Sequence, residues 1–325
     1  MEFVNYIQSD NYILTEGAIV ERLKKEYKIK LDSFINHAGL IYDDSNKLSI
    51  LYKQYIDIAK KYDIPIMIMT PTRRVNFETI GQSMYSDRDI INDGCTYLKN
   101  LRNEYPAFRD KIFIGGLLGC KGDAFQSEES LGIEASYEFH RIQVNQFKEA
   151  QVDFLFAGIM PSINEATGMA KAMAESGISY IISFTIRKDG CLLDGTSIAN
   201  AIKTIDREVY PKPIGYMSNC IHPLNLKLAL ENEVNLNCPE LDRFLGIQSN
   251  ASSLSPEELN NCGILQQEDF DEMIDEMSYL TANYNFKILG GCCGTDNIFI
   301  EKLAKRLISS RFDKLQEVDN PHLRE

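Results

Sequence analysis

Short apolar runs alternate with amphipathic stretches along the chain. Eight runs rich in apolar or β-branched residues stand out: Tyr12 to Leu14, Ile64 to Met69, Ile112 to Leu118, Val152 to Phe156, Tyr180 to Ile186, Pro213 to Met217, Arg243 to Ile247 and Phe286 to Leu289. Each ends near Gly, Pro, Asn or Thr, and each is continuously apolar rather than alternating. That is how a strand covered on both faces reads, as parallel strands are. Between the runs, apolar residues recur at helical spacing. In one stretch Leu48, Leu51, Tyr52, Tyr55, Ile58 and Tyr62 form one face, while Lys53, Asp57 and Lys60 fill the other. Similar patterns occupy Asp87 to Tyr105, Glu128 to Ala150, Asn164 to Ala174, Ile198 to Ile205 and Ile298 to Ile308. Strands each followed by helical sequence predict an α/β fold, a (β/α)8 TIM barrel, although an open doubly wound sheet alternates in the same way. No Gly-x-Gly-x-x-Gly follows the first run and no Gly-Lys-Ser/Thr occurs, so the nucleotide motifs of the open sheet are missing and the barrel is favoured.

Composition narrows the class. A chain of 325 residues suffices for one barrel domain over 1–325, with a charged C-terminal tail over 311–325 as a surface cap or frayed end. The 34 basic and 47 acidic residues leave a net charge of −13, which offers no basic field for nucleic acid or an anionic membrane. The apolar runs are strand-sized and none approaches the roughly 20 residues that span a bilayer. Met1 to Tyr6 lacks a basic segment followed by an apolar one, so a cytoplasmic location is expected. The oligomeric state is left open. Eight cysteines scattered through a large chain read as reduced thiols rather than as a disulfide framework.

Two of those cysteines are adjacent. The last apolar run ends in Gly290-Gly291-Cys292-Cys293-Gly294-Thr295-Asp296, and a helical pattern follows at once. Asp296 or Thr295 can cap that helix, whose N-terminal partial charge favours thiolates nearby. Two runs earlier the strand exits through Ser218-Asn219-Cys220, which in a closed barrel puts Cys220 on the same rim. Three thiolates with one open position suit a catalytic zinc, because the fourth site accepts a substrate sulfur and lowers its pKa. The competing reading is that these are ordinary buried cysteines, which behave as small hydrophobes. The other five, Cys95, Cys120, Cys191, Cys238 and Cys262, read as structural, with Cys120 a weaker pocket candidate. His222 follows Cys220 closely, but Pro223 beside it points to a helix start. Glu16, Asn219 and Asn250 end the first, sixth and seventh runs, where pocket residues and simple turn residues are both found. No Ser-His-Asp arrangement appears.

The vicinal-cysteine segment and Asn219-Cys220 resemble the signature of the homocysteine S-methyltransferase family, and the resemblance extends over nearly the whole chain. Further matches are Leu14-Thr15-Glu16-Gly17-Ala18, Gly115-Gly116-Leu117-Leu118-Gly119, Met160-Pro161-Ser162-Ile163-Asn164-Glu165-Ala166 and Asp194-Gly195-Thr196-Ser197. The resemblance implies a zinc barrel that binds a thiol acceptor, homocysteine, and takes a methyl group from a small donor of the S-methylmethionine or S-adenosylmethionine class, giving methionine. It implies Cys220, Cys292 and Cys293 as ligands, and Glu16, in the place of a customary aspartate, as an ammonium-binding carboxylate. Three departures bear on substrate. Ala157-Gly158-Ile159 stands where the family carries a second carboxylate, and Thr70-Pro71-Thr72 followed by Arg73-Arg74 replaces its Thr-Asn-Thr. Asn297-Ile298-Phe299 replaces its Pro and His. An anion lost beside two cations gained suggests a more acidic thiol, with Thr72 and Arg73 as substrate contacts, unless Arg73 and Arg74 belong to a solvated loop. Another zinc-thiolate alkyl transfer and a non-catalytic zinc- or thiol-binding protein are the remaining alternatives.

Overall fold

A computed structural model describes residues 3–9, 11–255, 258 and 269–319. Strands β1 (Ile13–Thr15), β2 (Ile66–Met69), β3 (Ile112–Gly119), β4 (Phe154–Met160), β5 (Tyr180–Phe184), β6 (Gly215–Ile221), β7 (Phe244–Ser249) and β8 (Ile288–Gly291) pair in sequence order into a closed barrel. All pairs are parallel, and β1 closes the ring on β8 through Ile13 opposite Ile288 and Leu14 opposite Leu289. The apolar runs are continuous because alternate residues serve different layers. Ile13, Met67, Phe113, Phe154, Ile181, Met217, Leu245 and Ile288 fill the barrel interior. Their neighbours, Leu14, Ile66, Ile112, Leu155, Ile182, Tyr216, Phe244 and Leu289, pack outward against the helices.

The helix Ser45–Lys61 illustrates the outer layer. Asp44 caps it by accepting from the Lys47 backbone N–H at 3.4 Å, and Leu48, Leu51, Tyr52, Tyr55, Ile56, Ile58 and Ala59 are buried along one stripe. Each large side chain so buried contributes roughly 1.5–3 kcal/mol. Helices Ile90–Asn103, Ile133–Glu149, Ile163–Ser176 and Ile198–Glu208 cover the expected stretches. The last helix, Asn297–Asp319, carries its backbone past Ile308 into much of the stretch set apart by sequence as a charged tail. No helix among the described residues is long and apolar enough to cross a membrane.

Two features depart from the sequence pattern, and both shape the barrel. The six-residue helix Phe3–Gln8 closes the N-terminal end of the barrel: Phe3 stacks on Phe154 at 4.2 Å and tilts against Phe113 at 5.2 Å, and Ile7 joins the same cluster. The second is that β4 and β6 run on through the residues expected to lie beyond them. Ala157-Gly158-Ile159 and Ser218-Asn219-Cys220 stay inside the sheet because each strand bulges. The register shifts between Ala157 and Met160 and between Asn219 and Ile221, and Ile159 and Cys220 both take φ of 58°. A bulge keeps the ladder while re-aiming a side chain, and positive φ at a non-glycine residue is uncommon.

Candidate functional site

The C-terminal ends of the strands open into a cavity of about 430 Å³. Cys220, Cys292 and Cys293 lie at its wall with their sulfurs all within 4.8 Å of one another. Two devices bring them together. The bulge in β6 turns Cys220 toward the cavity, where the Asn250 side-chain amide donates to its sulfur at 3.5 Å. The vicinal pair is fixed by its backbone: the Cys292 N–H donates to the Ser249 carbonyl at 2.7 Å, the Cys293 carbonyl accepts from Ala251 N–H at 2.9 Å, and the Thr295 hydroxyl donates to the Cys292 carbonyl at 2.7 Å. Gly294 then reverses the chain at φ 80°, its N–H donating to the Glu21 carboxylate at 2.5 Å. Asp296 caps the following helix, accepting from Ile298 N–H at 2.8 Å and Phe299 N–H at 3.0 Å.

Hydrogen bonds from Cys292 and Cys293 hold the Cys220 thiolate well below the ordinary thiol range, and the same bonds push both partners up. Sulfurs on one tetrahedral zinc sit about 3.8 Å apart, which the observed spacing accommodates. Three soft ligands at a cavity wall leave the fourth direction for a substrate atom.

Glu16 stands at the exit of β1, the neighbour of β8, where its backbone carbonyl accepts from Gly291 N–H at 3.2 Å; the residue is buried at 7% exposure. Its Oε1 accepts from the Met69 N–H at 3.2 Å, whereas Oε2 has no hydrogen-bond partner. Burial raises its pKa to about 7. Arg73 reaches the cavity from the loop after β2, and Leu117, Phe125 and Ile159 add apolar wall. Gly158 lines the cavity from the β4 bulge, so no side chain stands there at all.

The structure sorts the residues singled out by sequence. Glu16, Arg73, Asn219 and Asn250 line the cavity with the three cysteines; Thr72 does not. The Thr72 hydroxyl is fully buried, shared with Thr70 Oγ1 at 2.7 Å and donated to the Leu117 carbonyl at 2.7 Å, so it buttresses the loop. Asn219 accepts from Ile159 N–H at 3.3 Å and donates to Gln248, tying the two bulged strands to β7. Arg74 is exposed and outside the cavity. His222 caps the helix Pro223–Leu230. Cys95, Cys120, Cys191 and Cys238 are free thiols away from the cavity wall, and Cys262 lies outside the described residues. Among the polar residues of the cavity, Glu21, Lys24, His37 and Gln248 carried no earlier expectation, and Tyr52, expected on a core-facing helix face, also reaches the lining. Gln248 was open to discovery, since it stands two residues before Asn250, near the end of β7. His37 sits in an irregular stretch with no motif around it. Burial, with the nearby charge of Arg73, lowers its pKa to about 3 and keeps it neutral.

Residues 13–307 match the family model described as homocysteine S-methyltransferase. No curated protein matches the chain in sequence. Among solved structures, the homocysteine methyltransferase MmuM from Escherichia coli superimposes in its metallated form with a TM-score of 0.71 at 18% identity, over 92% of this chain and 97% of that one. Its oxidized form gives 0.72 at 19% identity over the same shares, and its apo form 0.64 at 19% over 92% and 96%. At these identities the superpositions speak for the fold.

Proposed function

The chain belongs to the homocysteine S-methyltransferase family, and from that membership we propose that it binds zinc on Cys220, Cys292 and Cys293 and methylates homocysteine, giving methionine. The methyl donor proposed is small, of the S-methylmethionine or S-adenosylmethionine class. The observation that carries the reading is the convergence of three thiols from β6 and the β8 exit on one cavity. The chain is read as one domain working in the cytoplasm, where thiols stay reduced.

Zinc supplies a lowered pKa to a thiol placed beside it, so that a thiolate forms near neutral pH. The chain's own residues do the rest. Asn250 fixes the orientation of the Cys220 sulfur, and Asn219 braces the bulge that presents it. Glu16 Oε2 offers an acceptor for the substrate ammonium, which would return that carboxyl to its charged form. Leu117, Phe125 and Ile159 exclude water from the path of transfer. The acceptor sulfur gives its electron pair to the donor methyl carbon, and the carbon–sulfur bond of the sulfonium breaks in line. Its electrons stay on the departing sulfur, which leaves as a neutral thioether, while the acceptor's proton has already gone to solvent. The cavity has only to align the partners and keep them dry.

Zinc-loaded, reduced protein incubated with homocysteine and a panel of donors should yield methionine, read by mass spectrometry, above a zinc-stripped control. No methionine from any donor, in protein verified to hold zinc, would overturn the reading.

A further inference from the structure

The cavity contains a cation that the chain does not neutralise. Arg73 lines it, part-buried, and makes no ion pair or hydrogen bond through its side chain among the described residues. It shares the cavity lining with Cys220 of β6, Cys293 beyond β8 and His37 beyond β1. Glu16 lines the same cavity, nine-tenths buried, with Oε2 unpartnered, yet Glu16 and Arg73 do not pair with each other. Lys24 is exposed on the cavity lining.

The loop is built to hold Arg73 there. Thr70 Oγ1 accepts from the Leu117 N–H at 2.9 Å, Thr72 is hydrogen-bonded to Thr70 and Leu117, and the Val75 N–H closes the turn on the Thr72 carbonyl at 2.8 Å. At the end of β3, Gly119 makes room: a Cβ there would lie 2.3 Å from the Arg73 carbonyl oxygen and 3.1 Å from its Cγ. Arg74, whose carbonyl accepts from the Thr79 hydroxyl at 2.8 Å, is exposed and outside the cavity.

Three sulfurs, one free carboxylate oxygen and one free guanidinium, held apart on a single cavity, complement a molecule with a thiol, an ammonium and a carboxylate. We propose that Arg73 is the specificity-determining residue that seats the carboxylate of the acceptor thiol. A guanidinium grips a carboxylate through two parallel N–H donors, which gives orientation as well as affinity. Arg73 is the part-buried cation of the cavity, whereas Lys24 lies exposed on its lining, so Arg73 is matched to homocysteine's own carboxylate. This rests on the preceding reading that the acceptor is a thiol.

Three thiols separate the contributions: homocysteine, mercaptobutanoate, which lacks the ammonium, and aminopropanethiol, which lacks the carboxylate. Their affinities for zinc-loaded protein are measured by calorimetry on wild type, Arg73→Gln, Arg73→Lys and Glu16→Gln. Arg73→Gln should weaken homocysteine and mercaptobutanoate about 10- to 100-fold, the scale of a lost charge-assisted pair, and leave aminopropanethiol within about twofold. Arg73→Lys should fall between, keeping the charge and losing the fork. Glu16→Gln should show the mirror pattern, weakening only the two ammonium-bearing thiols. Equal losses on all three thiols with Arg73→Gln would mean a structural role, and no loss on any would mean no contact; either overturns the assignment. If the thiols bind as expected while no donor gives a methylated product, methyl transfer fails and the role of Arg73 stands. If methionine forms and Arg73→Gln leaves the KM for homocysteine unchanged, the reverse holds.

Discussion

Glu16→Gln probes the electrostatics of the cavity without touching a sulfur. The carboxyl titrates at 4.5 in its ordinary state and at about 7 in the fold, because burial penalises its charged form. The folded protein therefore binds this proton more tightly than the unfolded chain does. Its stabilising contribution is whole below pH 4.5 and is lost as pH rises through 7, by about 1.4 kcal/mol per pH unit. Over the whole span the loss is about 3 kcal/mol. Glutamine is neutral throughout and keeps an oxygen to accept from the Met69 N–H, so it escapes that loss. Urea midpoints of metal-free, reduced wild type and variant should agree at the acid end of the window and separate steadily toward neutrality, with the variant the more stable. Above about pH 7 the gap should stop growing. A gap that is the same at every pH would refute the argument, because it would mean that Glu16 is not titrating inside the fold. The same substitution should weaken homocysteine, so a gain in stability and a loss in binding arrive together.

Serine placed singly at Cys220, Cys292 or Cys293 should strip bound zinc to background in elemental analysis after desalting, whereas Cys95→Ser, buried in the helix Ile90–Asn103, should keep it; zinc retained in all three would sink the site. Gly294→Ala forces a side chain onto a φ of 80° and puts its Cβ 2.7 Å from that of Ala251. The strain should cost about 1–3 kcal/mol and loosen zinc roughly tenfold in competition with a chelator, and an unchanged affinity would count against the turn as the device that sets Cys293. Phe3→Ala removes a ring that is 4% exposed and stacked on Phe154, so the unfolding free energy should drop by about 3 kcal/mol or more while kcat/KM stays within about twofold. An unaltered urea midpoint would show that the helix Phe3–Gln8 only rests on the barrel.

The barrel was legible because its strands are buried on both faces, and runs such as Ile112 to Leu118 announce that directly. The short helix Phe3–Gln8 was not, since six residues are too few to display a period and its two buried positions, Phe3 and Ile7, are anchored by aromatic contacts far along the chain. The bulges were hidden for another reason. Gly158 and Asn219 look like strand exits, because glycine and asparagine favour turns, yet here they sit within strands that absorb an irregularity and continue. Local propensity and tertiary pairing disagree there, and pairing prevails.

The same division runs through the site. Vicinal cysteines among glycines carry their chemistry in their spacing, so a thiol cluster with Cys220 could be read before any coordinates. What spacing cannot carry is which way a loop residue faces. Thr72, Arg73 and Arg74 are neighbours in sequence, the first two read as substrate contacts and the third as a further cation beside them; in the fold one is a buried buttress, one enters the cavity and one faces solvent. The difference is made by Leu117 and Gly119 on the next strand, which accept and donate the hydrogen bonds and leave the space that turn Arg73 inward. Selectivity in this barrel thus depends on a contact between β2 and β3 that neither segment displays alone, while the thiol cluster can be read from two short motifs. Substrate preference is for that reason expected to respond to changes at Leu117 or Gly119 that leave all three sulfurs in place.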